Sequence, residues 1–166
     1  MQNHTLEYIR RHVVGSRAAA LLIGPQAKHE LTGLYQTLSE LEFKGLLEAN
    51  EDEIQFWTKF LGLVKGEDLS ESQLEGDIAT GLVEVSLKRL GRPYHLFLPD
   101  VDKMFYGYDV QKKGLMGATL RRIWSNSETN LTIFGSVSNE KSRSYRTTIG
   151  KYEYPLWLNN WGQIRL

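Results

Sequence analysis

The sequence predicts a three-layer α/β fold, a mostly parallel sheet with helices on both faces. Two features carry this reading: a short continuous apolar run at 18–23 with strand-like runs at 94–98 and 131–134, and helical apolar spacing between them. A continuous run suits a strand buried on both sides, and strands alternating with helices favour parallel pairing through crossovers. A length of 166 residues, 41% hydrophobic and 24% charged, suits a single domain spanning 1–166 with a core of its own.

Taken in order, residues 1–14 form an amphipathic helix with Leu6, Ile9 and Val13 on one face. Residues 18–23 form a buried strand stopped by Gly24-Pro25. Leu31, Leu34, Leu38 and Leu41 have helical spacing, 43–48 is a short strand flanked by charge, and Ile54, Trp57, Leu61 and Val64 mark the face of a further helix. Ser70-Glu71-Ser72-Gln73 has the pattern of a capping box. It is expected to open a helix that buries Leu74, Ile78, Leu82 and Val85 and stops at Gly91. Residues 94–98 form a strand that Pro99 must end, because proline has no donor for the ladder. Met116, Leu120 and Ile123 give another helix ending near 125–127. Residues 131–134 form a strand running into Gly135-Ser136, and 163–166 a last strand.

Composition excludes several classes. Zero cysteines rule out disulfides, thiolate metal sites and cysteine nucleophiles. His4, His12, His29 and His95 lack metal-ligand spacing. No apolar run reaches the ~20 residues of a membrane span, and the first 17 residues lack a signal-peptide core, so a cytoplasmic protein with no membrane partner is expected. The formal net charge of 0 argues against general attraction to nucleic acid. It conceals an asymmetry: residues 1–102 hold 10 basic and 16 acidic groups, residues 103–166 hold 10 basic and 4 acidic. Charged ends of opposite sign suit head-to-tail association or an anion-binding C-terminal third, although folding can mix the two halves over one surface.

Residues 21–38 read LLIGPQAKHELTGLYQTL. A working phosphate loop reads G-x-x-x-x-G-K-[ST] between a strand and a helix. With Gly24 first, the second glycine becomes His29, the lysine Glu30 and the hydroxyl residue Leu31. Strand context and loop length agree with the motif, and the chemistry departs from it.

On these residues the chain resembles the nucleotide-binding core of the P-loop ATPases, specifically the AAA+ and signal-transduction (STAND) branch. The resemblance covers the order of landmarks over the whole chain. In that family an apolar strand ends in Asp-Glu; here residues 96–102 read LFLPDVD, so Pro99 stands at the first acid and Asp100 at the second. A later strand carries a small polar sensor residue, which Ser136 in LTIFGS resembles. The family's helical lid would follow, and the chain is expected to lack it.

The resemblance implies a degenerate site. A carboxylate in place of the lysine turns attraction for phosphate into repulsion, each worth about 4 kcal/mol at ~4 Å and an effective dielectric of ~20. Leu31 and Pro99 remove both usual protein holds on magnesium. His29 disfavours the turn that aims backbone amides at phosphate. Magnesium-dependent hydrolysis is therefore not expected, nor is a bound cofactor. Glu30 is expected to sit at the helix N-terminus, where negative charge is favoured, and to stand in for the phosphate; plain first-turn acid preference is the bland alternative.

Lys28 reads as a solvated loop lysine; Asp100 stands at the position of the family's water-activating base, but with no metal-nucleotide to serve, Asp100 or Asp102 reads rather as a cap of the following segment. In the alternative, a divergent ATP binder or weak NTPase, Lys28, Thr32 and Asp100 would serve the nucleotide in the loop that begins Gly24-Pro25. The basic cluster Lys141, Arg143, Arg146 and Lys151 follows the sensor-like strand. In the resembling ATPases an arginine from this region acts across a subunit interface, which makes Arg143 or Arg146 a candidate for docking into a partner ATPase. Interleaved with Tyr145, Tyr152 and Tyr154, the same cluster could hold nucleic-acid backbone, a less favoured reading. Trp157 and Trp161 read as packing residues. The leading expectation is a non-catalytic ATPase-like module acting through protein association, with its oligomeric state open. Glu30→Lys alone should not create ATP binding, because magnesium contacts remain absent; micromolar affinity in calorimetry would mean that the loop lies elsewhere.

Overall fold

Alternation along each strand decides which layer its side chains enter. The computed structural model describes residues 1–48, 53–69, 72, 74–101, 119–137 and 161–166. Among them five strands, β1 (Ala19–Ile23), β2 (Lys44–Leu46), β3 (Tyr94–Leu98), β4 (Leu131–Val137) and β5 (Gly162–Arg165), form one sheet in the order β2-β3-β4-β1-β5. Every pairing is parallel. Ala19 and Leu21 of β1, Leu96 and Leu98 of β3, and Ile133 of β4 point into one core. Ala20, Leu22, Phe97 and Phe134 point into the other. The central strands are therefore buried at nearly every position, and helices cover both faces. The fold class expected from sequence is the one observed.

Helices α1 (Asn3–His12) and α2 (Ala27–Thr37) cover one face. Ile9 and Val13 are buried there, with Leu6 packed beside them, as the spacing predicts. The other face carries α3 (Glu53–Lys65), α4 (Gly76–Leu90) and a short helix α5 at 119–125. Phe56, Trp57, Phe60 and Leu61 of α3 are buried. Leu120 and Ile123 of α5 are fully buried, and Met116 lies outside the described residues. Arg122 of α5 donates to Glu84 of α4 at 2.7 Å, which holds that carboxyl below its ordinary pKa.

Four expectations need correction. First, α2 begins at Ala27, earlier than the Leu31 start its apolar spacing suggests, since the Ala27 amide turns back onto Gly24 O and the Glu30 amide closes the first helical turn on Gln26 O. Second, α4 begins at Gly76 and not at a capping box: the Ser72 amide bonds Leu69 O, while Ser70, Glu71 and Gln73 lie outside the described residues. Third, α4 buries Ala79, Val83 and Leu87, leaving Ile78, Leu82 and Val85 exposed. The small residues Ala79 and Val83 belong to the same cluster as the aromatic rings of α3, against which α4 packs. Fourth, β4 runs on through Gly135 and Ser136, and a Cβ at Gly135 would stand 2.6 Å from the buried Trp161 ring. The helix stop at Gly91 is observed, with φ 62° in the left-handed region that glycine tolerates. Among the described residues no helix is long and apolar enough to cross a membrane.

His95 joins three segments. It is 4% exposed on the α1 side of β3. Nδ1 lies 3.1 Å from Phe43 O beside β2, and Nε2 accepts the Gly15 amide at 3.0 Å from the α1–β1 turn. That pair of contacts selects the neutral tautomer with the proton on Nδ1. Burial holds its pKa below the ordinary 6.5, against a smaller opposing effect of the Phe43 carbonyl. A lowered folded pKa means that the neutral ring's contribution is complete above about pH 6.5 and is lost as pH falls toward and through the folded value. His95→Ala should cost about 2 kcal/mol in urea unfolding for two lost hydrogen bonds and should flatten the pH dependence of stability below 6.5; an unchanged acid slope would contradict this assignment.

Candidate functional site

The carboxyl ends of β1, β3 and β4 converge, which is where an open parallel sheet presents its ligand crevice. After Ile23 the chain makes a three-residue connection, 24–26, and enters α2 at Ala27. Gly24 has φ 155°, and a Cβ there would meet the Leu166 carbonyl at 3.4 Å beyond β5. Its amide donates to Val137 O at the end of β4, tying the loop to the neighbouring strand.

The early start of α2 changes which side chain commands the crevice. Lys28 is the second helical residue and reaches across to β3. Its Nζ lies 3.1 Å from Asp100 Oδ2 and 3.5 Å from Glu48 Oε1 beyond β2. The Asp100 side chain is 8% exposed, whereas Lys28 is 44% exposed. Hydrogen bonding to Asp100 is the largest influence on Lys28 and raises its pKa above 10.5; burial opposes, and the charges of Asp100 and Glu48 add to the rise. Lys28 is thus no freely solvated loop lysine, and the carboxylate of Asp100 is turned to it.

Asp100 is held from behind as well. Pro99 ends β3 as its missing donor requires, and Asp100 follows in the left-handed region at φ 51°, which aspartate tolerates better than most residues. Its amide donates to Ser136 Oγ at 2.9 Å, a buried bond to the middle layer of the sheet. Ser136 is fully buried on β4. Lys28, Asp100 and Ser136 therefore form one chain of contacts from α2 through β3 to β4.

Other residues named from sequence fall elsewhere. Glu30 lies in the first turn of α2, but its carboxylate meets the Met1 amino group at 2.5 Å, and its own amide serves the helix. It is joined to the amino end of α1 and does not fill the loop in the manner expected. Thr32 donates its hydroxyl to Lys28 O at 3.0 Å, within α2. His29, Pro25 and Gln26 are exposed. Leu31 is fully buried in the core, with no freedom to approach a metal. Asp102, Lys141, Arg143, Arg146 and Lys151 lie outside the described residues, as do Tyr145, Tyr152, Tyr154 and Trp157. Among the described residues no cluster of metal-binding side chains is found. Sequence reasoning missed Glu48 and undervalued Lys28; the signal was the short Gly-Pro turn, which lets a helix begin two residues before His29.

With this geometry in view, the chain compares with several solved structures. ORC1 of Aeropyrum pernix in complex with DNA matches with a TM-score of 0.66 and 16% identity over 100% of this chain and 45% of that one. Drosophila ORC bound to GC-rich DNA and Cdc6 matches with a TM-score of 0.61 and 13% identity over 98% of this chain and 56% of that one. A Walker-type ATPase of Pyrococcus abyssi gives 0.61 and 13% over 98% and 51%. No protein-family model and no curated protein matches the sequence. The chain has the three-layer α/β fold of the P-loop ATPases, its structural neighbours belong to the AAA+ branch that the sequence resembles, and it spans about half the length of those neighbours.

Lys28→Ala leaves the largely buried Asp100 carboxylate without Lys28 and should lower stability by about 1–3 kcal/mol. In an Asp100→Asn background the same change should cost clearly less. Urea unfolding of the four proteins measures the coupling, and strict additivity would dissolve the pair as an energetic unit.

Proposed function

We propose that this chain is a non-catalytic ATPase-like module that acts by associating with protein. The observation that carries the reading is the Lys28–Asp100 ion pair at 3.1 Å. The cation nearest the crevice already has a carboxylate partner, and triphosphate would have to displace it. Magnesium finds no ordinary hold in either register of the loop. The residue after Lys28 is the exposed His29, the residue after Glu30 is the buried Leu31, and Pro99 stands where the family's first acid would be. A three-residue connection also offers too few backbone amides to wrap a phosphate.

In this proposal the loop is kept shut by Lys28, Asp100 and Ser136, with Glu30 fastening α1 to α2. The partner is a protein, and an active ATPase relative is the favoured kind; the Drosophila structure, in which ORC is bound to DNA and Cdc6, is in keeping with assembly on such a fold. Arg143, Arg146 and Lys151 remain the proposed basic contacts for an acidic partner, in a cytoplasmic setting.

Thermal unfolding with and without magnesium and millimolar ATP tests the reading. A ligand at a hundredfold its Kd stabilises by about 2.7 kcal/mol, several degrees for a domain of this size. No shift is expected. A rise with ATP that Lys28→Ala abolishes would instead favour the divergent ATP binder.

A further inference from the structure

We propose that the outer face of α4 is a self-association surface, which pairs with α4 of a second copy in antiparallel orientation about Leu82. Single exposed apolar residues are ordinary. Here Ile78, Leu82 and Val85 are 52%, 42% and 43% exposed on one helix whose opposite side is already committed to the core through Ala79, Val83 and Leu87.

Their spacing is specific. Glu75, Ile78, Leu82, Val85 and Arg89 succeed one another at intervals of three, four, three and four. That is the alternation of a helix–helix seam, with apolar side chains in the middle and a charge at each end. Glu75 and Arg89 are both exposed. Among the described residues neither has an ion-pair partner, whereas their neighbours Glu84 and Lys88 are engaged with Arg122 and Glu128. Gly81 flanks the seam with open space where a Cβ would stand, so a second helix can approach closely.

Charge chooses the occupant and its direction. Leu82 lies seven residues from Glu75 and seven from Arg89. A two-fold axis at Leu82 therefore sets Glu75 of each copy against Arg89 of the other, and Ile78 against the turn that holds Val85. A parallel pair would oppose Glu75 to Glu75 and Arg89 to Arg89. A face self-complementary about its own centre is what an isologous dimer requires, and an unrelated partner would need no such symmetry. This inference does not depend on the state of the nucleotide site and stands whichever way the ATP test falls.

The absence of cysteine permits a direct test. Leu82→Cys and Ile78→Cys each introduce a sole thiol at an exposed position. In the proposed pair the two residues at 82 face each other, while those at 78 are separated by eight residues, roughly 12 Å of helix, beyond disulfide reach. Mild oxidation should give a covalent dimer with Leu82→Cys and little with Ile78→Cys. Equilibrium sedimentation of the unaltered protein should show the mass rising with concentration from 19.1 kDa toward twice that value. Glu75→Arg should weaken the association severalfold, and Glu75→Arg combined with Arg89→Glu should restore it. A mass of one chain at every concentration overturns the proposal without recourse to any variant, as do equal crosslinking at 78 and 82 or failure of the double exchange to restore association.

Discussion

The ion pair between Lys28 and Asp100 is the constraint on which the functional reading depends. It exists because α2 starts at Ala27, which carries a lysine to the crevice, and because the turn after β3 presents a carboxylate that is 8% exposed. Ser136 secures that turn from inside the sheet by taking the Asp100 amide. Charge satisfied within the protein is no longer available to a ligand at full strength, since the ligand must first offset the separation of the pair. In the proposed reading the lysine at the mouth of the sheet is occupied by the protein's own acid.

The surrounding architecture makes the arrangement stiff. β1, β3 and β4 are adjacent central strands with side chains in two cores, so their carboxyl ends cannot drift independently. The loop after β1 is bonded to the end of β4, and Leu166 after β5 donates to Ile23 O at its other side. The crevice is thus bounded by hydrogen-bonded backbone on two sides. In the proposed reading function moves from the mouth of the sheet toward its surfaces, and the outer side of α4 is the most apolar stretch of helix exposed among the described residues.

Much of the fold was legible because its signals are local. Residues 94–98 are apolar but for His95 and are followed by Pro99, and the strand has those bounds. Leu6, Ile9 and Val13 share a face in sequence and a core in space. The candidate site was legible only in part. Gly24, Asp100 and Ser136 mark strand ends, which periodicity locates well. Lys28 and Glu30 depend on where a helix begins, and a shift of two residues rotates side chains by about 200° around its axis. The face of α4 was misassigned for a different reason: both sides of that helix are apolar, and hydrophobicity alone favours the larger residues Ile78 and Leu82. Packing against the aromatic side of α3 favours the smaller Ala79 and Val83.

The imidazole that accepts the Gly15 amide has an implication for motion. Gly15 lies in an exposed turn between α1 and β1, where backbone protons ordinarily trade with solvent almost as fast as in a free peptide. Bonded to a ring sunk in the sheet, this proton is released only when the turn lifts away from β3. An exposed turn is thereby coupled to the breathing of the central strands, and its exchange clock runs at the tempo of the interior.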